Sequence, residues 1–155
     1  MNIRLAKKSD TGALISLLRE VLSIHHEIRR DIFKPNGTKY RESELTDILE
    51  NKKTPVFVAE IDTRVVGYCF TSINEQEESN IMLARKELYI DDLCVDQNMR
   101  GEGIGRALYQ YAEQYARDIG CHSITLNVWE GNDDAVSFYK RMELHPRKTL
   151  MEKIL

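Results

Sequence analysis

Cysteine is scarce in this chain, and long apolar runs are missing altogether. Its three cysteines (Cys69, Cys94 and Cys121) are odd in number and widely spaced, each among apolar or strand-like neighbours. That reads as buried, reduced thiols in a cytoplasmic protein rather than a disulfide framework. With no Cys-x-x-Cys pair and no Cys/His cluster, no metal site is expected. No segment approaches the roughly 20 apolar residues of a membrane span, and Met1 to Lys8 hold no apolar core of signal-peptide length. Charge of one sign is lacking too. A net charge of −3 and a pI near 5.8 argue against nucleic acid or an anionic membrane as a general partner.

What is present describes a soluble globular protein. At 155 residues, with 42% hydrophobic and 30% charged, the chain reads as a single domain over 1–155. Ile3 and Leu5 alternate with polar residues as a short strand does. Ser9 or Asp10 can cap a helix whose apolar positions Leu14, Leu17, Leu18, Val21, Leu22 and His25 recur at helical spacing. Pro35 and Asn36-Gly37 punctuate a loop, and a second helix runs from Ser43 to about Glu50. Val56–Ile61 and Val65–Ile73 read as a hairpin joined by Asp62 to Arg64. Asn74 to Asn80 reads as an exposed loop, and Leu88 to Val95 as a fourth strand.

The second half alternates strand and helix. Ile104, Leu108, Tyr111, Tyr115 and Ile119 mark one helical face, which ends at Gly120. Ser123–Val128 reads as a strand, Asn132–Arg141 as a helix and Arg147–Leu155 as a final strand. The order implies an α/β (α+β) fold, a mixed sheet of about six strands with helices on both faces.

The most informative stretch is Val95-Asp-Gln-Asn-Met-Arg-Gly-Glu-Gly-Ile-Gly-Arg-Ala-Leu108, where Gly101, Gly103 and Gly105 open a helix. Glycines let the backbone pass close to a ligand, and a helix N-terminus aims unpaired N–H groups and a positive dipole end at it. Such a loop holds an anion, most often a phosphate or pyrophosphate. Arg100 and Arg106 flank it. A Walker loop would need Gly-Lys-Ser/Thr, and here Arg106-Ala107 follow Gly105. A dinucleotide fingerprint should open the first βαβ unit, and this loop lies two-thirds along the chain.

The string Arg100-x-x-Gly103-x-Gly105 instead resembles the acetyl-coenzyme A pyrophosphate loop of the GNAT superfamily of N-acetyltransferases. Asn132-x-x-Ala135-x-x-Phe138-Tyr139 is similar to that family's later helix motif, and Tyr89-Ile-Asp-Asp-Leu-Cys-Val95 to its fourth strand. The three cover about Glu87 to Leu155. The resemblance implies a mostly antiparallel sheet splayed between its fourth and fifth strands, with acetyl-CoA as cosubstrate in the gap. Leu93 and Val95 would then offer backbone groups to the pantetheine. Arg100, Gly101, Gly103, Ile104, Gly105 and Arg106 would cradle the pyrophosphate, and Asn132 would cap its helix and face the coenzyme. The reaction implied is acetyl transfer to a primary amine, of a small molecule in the first reading. A protein N-terminus or lysine, or plain acyl-CoA binding without catalysis, are the alternatives.

An alkylamine has a pKa near 10.4 and must lose a proton before it attacks, and the leaving thiolate gains from an acid. The resemblance places Tyr139 at the coenzyme sulfur as that acid. Helical spacing alone would make it one more packed residue. Strand alternation puts Glu87, Tyr89, Asp91, Leu93 and Val95 on one face and Leu88, Ile90, Asp92 and Cys94 on the other. In spermidine/spermine-type acetyltransferases the first acid of a similar pair is the base, which implies Asp91 here. Glu87 and Asp92 stay as alternatives, and a strand bulge would change the facing. The acceptor wall is expected from His25, His26, Glu27, Arg29, Arg30 and Trp129. Glu143-Leu144 stand where the family has Gly-Phe. The oligomeric state stays open, with a homodimer among the alternatives.

Overall fold

The computed structural model describes residues 1–155. Strand β1 (Asn2–Leu5) leads through a 3₁₀ turn (Lys8–Asp10) into α1 (Thr11–Ile28), followed by α2 (Glu42–Glu50). β2 (Val56–Ile61), β3 (Arg64–Gln76) and β4 (Arg85–Val95) form a meander. A 3₁₀ turn (Gln97–Met99), α3 (Ile104–Asp118), β5 (Ser123–Leu126) and α4 (Asp133–Arg141) complete the chain. The sheet order is β1-β2-β3-β4-β5, antiparallel except for the parallel pair β4–β5.

The sheet separates two apolar layers. On one face Leu14, Leu17, Leu18 and Val21 of α1 and Leu45 of α2 pack on Val56, Val58, Tyr68, Phe70 and Cys94. On the other, α3 packs on Phe57, Ala59, Cys69, Leu88 and Ile90. Both faces of β2 and β3 are covered, so their central residues are buried without alternation, as a doubly covered strand requires. The α3 stripe differs from the expected one. Ile104, Leu108, Ala112 and Ala116 are buried with Tyr109, while Tyr111 is exposed. The small Ala112 and Ala116 end of this i, i+4 row lets α3 lie close to the sheet, and Tyr111 and Tyr115 reach over to the Phe57 ring, each 5.2 Å away.

The turns follow local chemistry. The β2–β3 connection is tighter than expected, with two residues, Asp62 and Thr63, at φ 48° and 65°, the positive values that match strand twist in a two-residue hairpin. Gly120, at φ 74°, ends α3. The helix α4 ends the same way without glycine. Glu143 holds φ 64° while the Leu144 amide reaches back to the Tyr139 carbonyl at 3.1 Å.

Two expectations about strands change. β3 and β4 run longer than the sequence indicates, to Gln76 and from Arg85. The final strand over Arg147–Leu155 is absent: the segment pairs with no strand, its Leu150, Met151, Ile154 and Leu155 are exposed, and the sheet has five strands. Its apolar residues do not alternate cleanly, so no single face of it is apolar enough to extend the sheet.

Candidate active site

β4 and β5 part company half-way. Glu87–Ile90 pair with Ser123–Leu126, after which β5 ends while β4 continues to Val95 held only by β3. The backbone of Asp91 to Val95 is therefore unpaired on its β5 side, and a slot opens there. The glycine loop lies at its mouth. Gly101 and Gly103 have φ of 87° and 78°, and a Cβ added at either would meet nothing within 4 Å. Gly103 is the N-cap of α3 and offers no side chain, so the first-turn N–H groups after it face outward without an intrahelical partner. Arg100 is held by a 3.2 Å bond from its Nε to the Val95 carbonyl.

Asp96 braces this turn. Buried, it accepts from the Asn98 backbone at 2.9 Å and side chain at 3.1 Å, and from Arg64. Neither Asp96 nor Arg64 figured among the sequence candidates. The signal was there in Asp96-Gln-Asn98, where an Asx turn places the side chain on the amide two residues on. At the far wall of the slot, Tyr139 is half-buried against the α3 layer, which also receives Leu93 and Val95. Burial pushes its phenol well above the ordinary range, with smaller contributions from the buried Cys69 and Asp92. It therefore keeps its proton at neutral pH.

The opposite wall is built around a bulge. Phe70 pairs with Asp92 and Thr71 with Ile90, leaving Asp91 as the extra residue of β4. The bulge resets the facing. Leu88 and Ile90 point to the α3 layer, and so do Leu93 and Val95, an odd step away, whereas Cys94 points to α1. The expectation that Asp91 and Asp92 face opposite ways is overturned. The Lys39 ammonium touches both, 2.8 Å from Asp91 Oδ2 and 3.4 Å from Asp92 Oδ2. Tyr40 donates to Asp91 at 3.0 Å, and Tyr68 donates to Asp92 at 3.0 Å. Asp91 is open to solvent and Asp92 buried, with side-chain exposures of 37% and 8%. Burial pushes the Asp92 carboxyl up, against the pull of Lys39, Tyr68 and His25.

A splayed β4–β5 pair, a glycine-built helix start below it and a tyrosine on the following helix occur together in acyl-CoA-dependent acyltransferases. The model of the acetyltransferase (GNAT) family matches residues 21–143. The chain belongs to that family. Among relatives, this GNAT acetyltransferase is 26% identical to the thialysine N-epsilon-acetyltransferase of Bos taurus, over 90% of the chain and 81% of the relative. It is 28% identical to the peptidyl-lysine N-acetyltransferase YjaB of Salmonella typhimurium, over 92% and 81%. It superposes on a crystal structure of a mutant BH1408 protein from Bacillus halodurans with a TM-score of 0.96 at 30% identity, covering 100% of this chain and 99% of that one.

The other expected residues of this acetyltransferase divide in two. His25, Arg29 and Trp129 gather around Phe33. The His25 and Phe33 rings lie 5.2 Å apart, Phe33 meets Trp129 edge-on at 5.4 Å, and Arg29 lies 5.7 Å over Trp129. Burial lowers the pKa of His25. His26 bonds the Phe33 carbonyl instead, and Glu27 and Arg30 pair with each other in solvent. Asn132 accepts from the Ala135 amide at 3.3 Å as an N-cap, and lines an open groove of about 400 Å³ with Glu27, Asp133 and Asp134. Glu87 sits in the paired part of β4, beside Ser123, and its ion pairs with Arg147 at 2.7 Å and Arg85 at 2.9 Å hold it below the usual carboxylate range despite its burial. It does not reach the slot. Lys39, Tyr40 and Tyr68, which the sequence did not single out, do. No periodicity points to them, since Lys39 and Tyr40 lie in an irregular segment and Tyr68 reads as core.

Proposed function

We propose that this acetyltransferase moves the acetyl group of acetyl-CoA to the primary amine of a small molecule. One observation carries the reading: the slot has two carboxylates gathered round an alkylammonium on one side and a protonated phenol on the other. The residues present suit acetyl-CoA. The outward N–H groups after Gly103, with Arg100 and Arg106, would hold the pyrophosphate, and the free edge at Leu93 and Val95 would hold the pantetheine amides. Bound there, acetyl-CoA supplies the thioester to be attacked.

The chain's own groups then do the rest. Asp91, exposed at the bulge, takes the proton that an acceptor ammonium must lose, directly or through water. The β4 N–H groups directed away from β3 meet the negative charge that develops on the carbonyl oxygen. Tyr139 gives its proton to the departing thiolate and regains one from the nitrogen as the amide forms. Asp92 keeps its place in the bulge through Tyr68 and adds negative field toward a cationic acceptor. One relative's name states the N-epsilon position of thialysine and the other's a peptidyl lysine, which supports a primary amine as acceptor. The packed wall of His25, Phe33 and Trp129 favours the small molecule, because it narrows the approach.

The test is release of free coenzyme A across a panel of small primary amines and lysine peptides. Turnover with a small amine is expected, and turnover with peptides alone would move the acceptor to protein. Acetyl-CoA binding without release on any amine would leave a binding module.

A further inference from the structure

We propose that Lys39 is a site of self-acetylation, its ε-amine standing in the acceptor's place beside Asp91 and taking the acetyl group within its own chain. The proposal rests on the acetyltransferase reading above and adds a substrate to it. An acceptor amine must come within hydrogen-bond reach of the base before it can hand over its proton. The Lys39 ammonium already lies 2.8 Å from Asp91 and 3.4 Å from Asp92, on the unpaired stretch of β4 that borders the slot.

Its setting differs from that of the other ion-paired lysines. Lys8, Lys53 and Lys86 meet acids on α2 or at the far end of β3, away from the slot. Lys39 lies in the irregular segment between α1 and α2, its side chain 31% exposed and free of helix or strand bonds that would fix it. The charged and titratable groups around it come from four elements: Asp91 and Asp92 on β4, Tyr68 on β3 bonded to Asp92, His25 on α1, and Tyr40 beside it, whose ring centroid is 5.5 Å away.

The chemistry balances with groups already present. The Lys39 nitrogen forms the amide bond to the acetyl carbon as the carbon–sulfur bond breaks. One proton of the ammonium passes to Asp91 before attack, Tyr139 protonates the thiolate that leaves, and the second proton lost by the nitrogen as the amide forms restores the Tyr139 phenol. The product is an uncharged acetyl-lysine, which can no longer pair with the two carboxylates and so uncovers them.

The experiment is to incubate the full chain with acetyl-CoA and no added amine, and to map acetylated lysines by mass spectrometry over a range of protein concentrations. Lys39 should be modified about 10²-fold faster than the exposed Lys34 and Lys52, the scale of a positioned base. The rate should not depend on protein concentration. It should fall to the level of Lys34 in Asp91→Asn, and Lys39→Arg should show no adduct in this segment above that of Lys34. A Lys39 rate equal to that of Lys34 and Lys52, a rate that scales with protein concentration, or an unchanged rate in Asp91→Asn overturns the proposal. The same samples, given an external amine, separate it from the parent reading. Turnover of the amine with Lys39 unmodified sinks self-acetylation alone, and acetylation of neither sinks both.

Discussion

The α3 side of the slot presents backbone, whereas the α1 side presents side chains drawn from α1, the segment after it, β3 and β4. On the first side the working parts are N–H groups released by glycines at positive φ within one short stretch, Gly101 to Gly105. On the second, Asp91, Asp92, Lys39, Tyr40, Tyr68 and His25 come from positions up to about two-fifths of the chain apart and meet only because a bulge turns two adjacent acids the same way. The difference teaches that the loop proposed to hold the cosubstrate can be written locally. The side chains proposed to choose the acceptor have to be assembled.

The largest effect should come where the two sides meet. Tyr139→Phe should lower kcat by roughly 10²–10⁴-fold while acetyl-CoA affinity holds, because the phenol matters as sulfur gains charge. An unchanged kcat, with chemistry rate-limiting, would return Tyr139 to a packing role. Asp91→Asn should then remove the acidic limb of the kcat/KM profile and Asp92→Asn should leave it. The bulge makes this a sharper trial than alternation would, since both acids face the acceptor and only their exposure separates them. Loss of the limb in Asp92→Asn alone would assign the base to the buried acid.

The backbone side should respond in binding rather than turnover. Gly103→Val puts a β-branched residue at φ 78° and should weaken acetyl-CoA by about tenfold or more, equivalent to about 1.4 kcal/mol. Thermal shifts read this directly. At roughly 100 times the dissociation constant the ligand should stabilise the wild type by about 2.7 kcal/mol, and equal gains in the variant would sink the loop assignment.

Asp92 gives a pH test. Burial raises its carboxyl in the folded chain, so the folded state holds this proton more tightly than the unfolded one. Its contribution is complete below the ordinary carboxylate range and is lost as pH rises through the raised value. Asp92→Asn keeps an acceptor for Tyr68 and removes the buried charge. It should be more stable than wild type at pH 7, with a flatter profile on the acid side. A less stable variant at pH 7 would mean that the Lys39 pairing outweighs the burial.

The smallest effect lies outside the slot. Glu143→Gly relieves a left-handed residue at the end of α4 and should add about 1 kcal/mol, or roughly 2–4 °C in Tm, with no change in coenzyme affinity. No gain in Tm would show that the Leu144 to Tyr139 backbone bond already offsets the strain.

The sequence by itself determined most of the elements and the glycine-built start of α3. Helical and strand periodicities depend on neighbours a few residues away, and Arg100-x-x-Gly103-x-Gly105 carries its conformation in its own glycines. Glu143 was legible only as the residue standing where the family has glycine, and the structure shows why glycine suits that place, at φ 64°. Tertiary structure alone decided the facing of Asp91 and Asp92, because a bulge arises from pairing between β3 and β4 and leaves no mark in either strand's alternation. It also decided the partners of those acids. Lys39 and Tyr40 sit in a segment without period, and only the packing of α1 and α2 on the sheet carries them to the slot. The missing sixth strand is the converse: Leu150 to Leu155 are apolar enough to read as a strand, but a strand exists only when an edge accepts it.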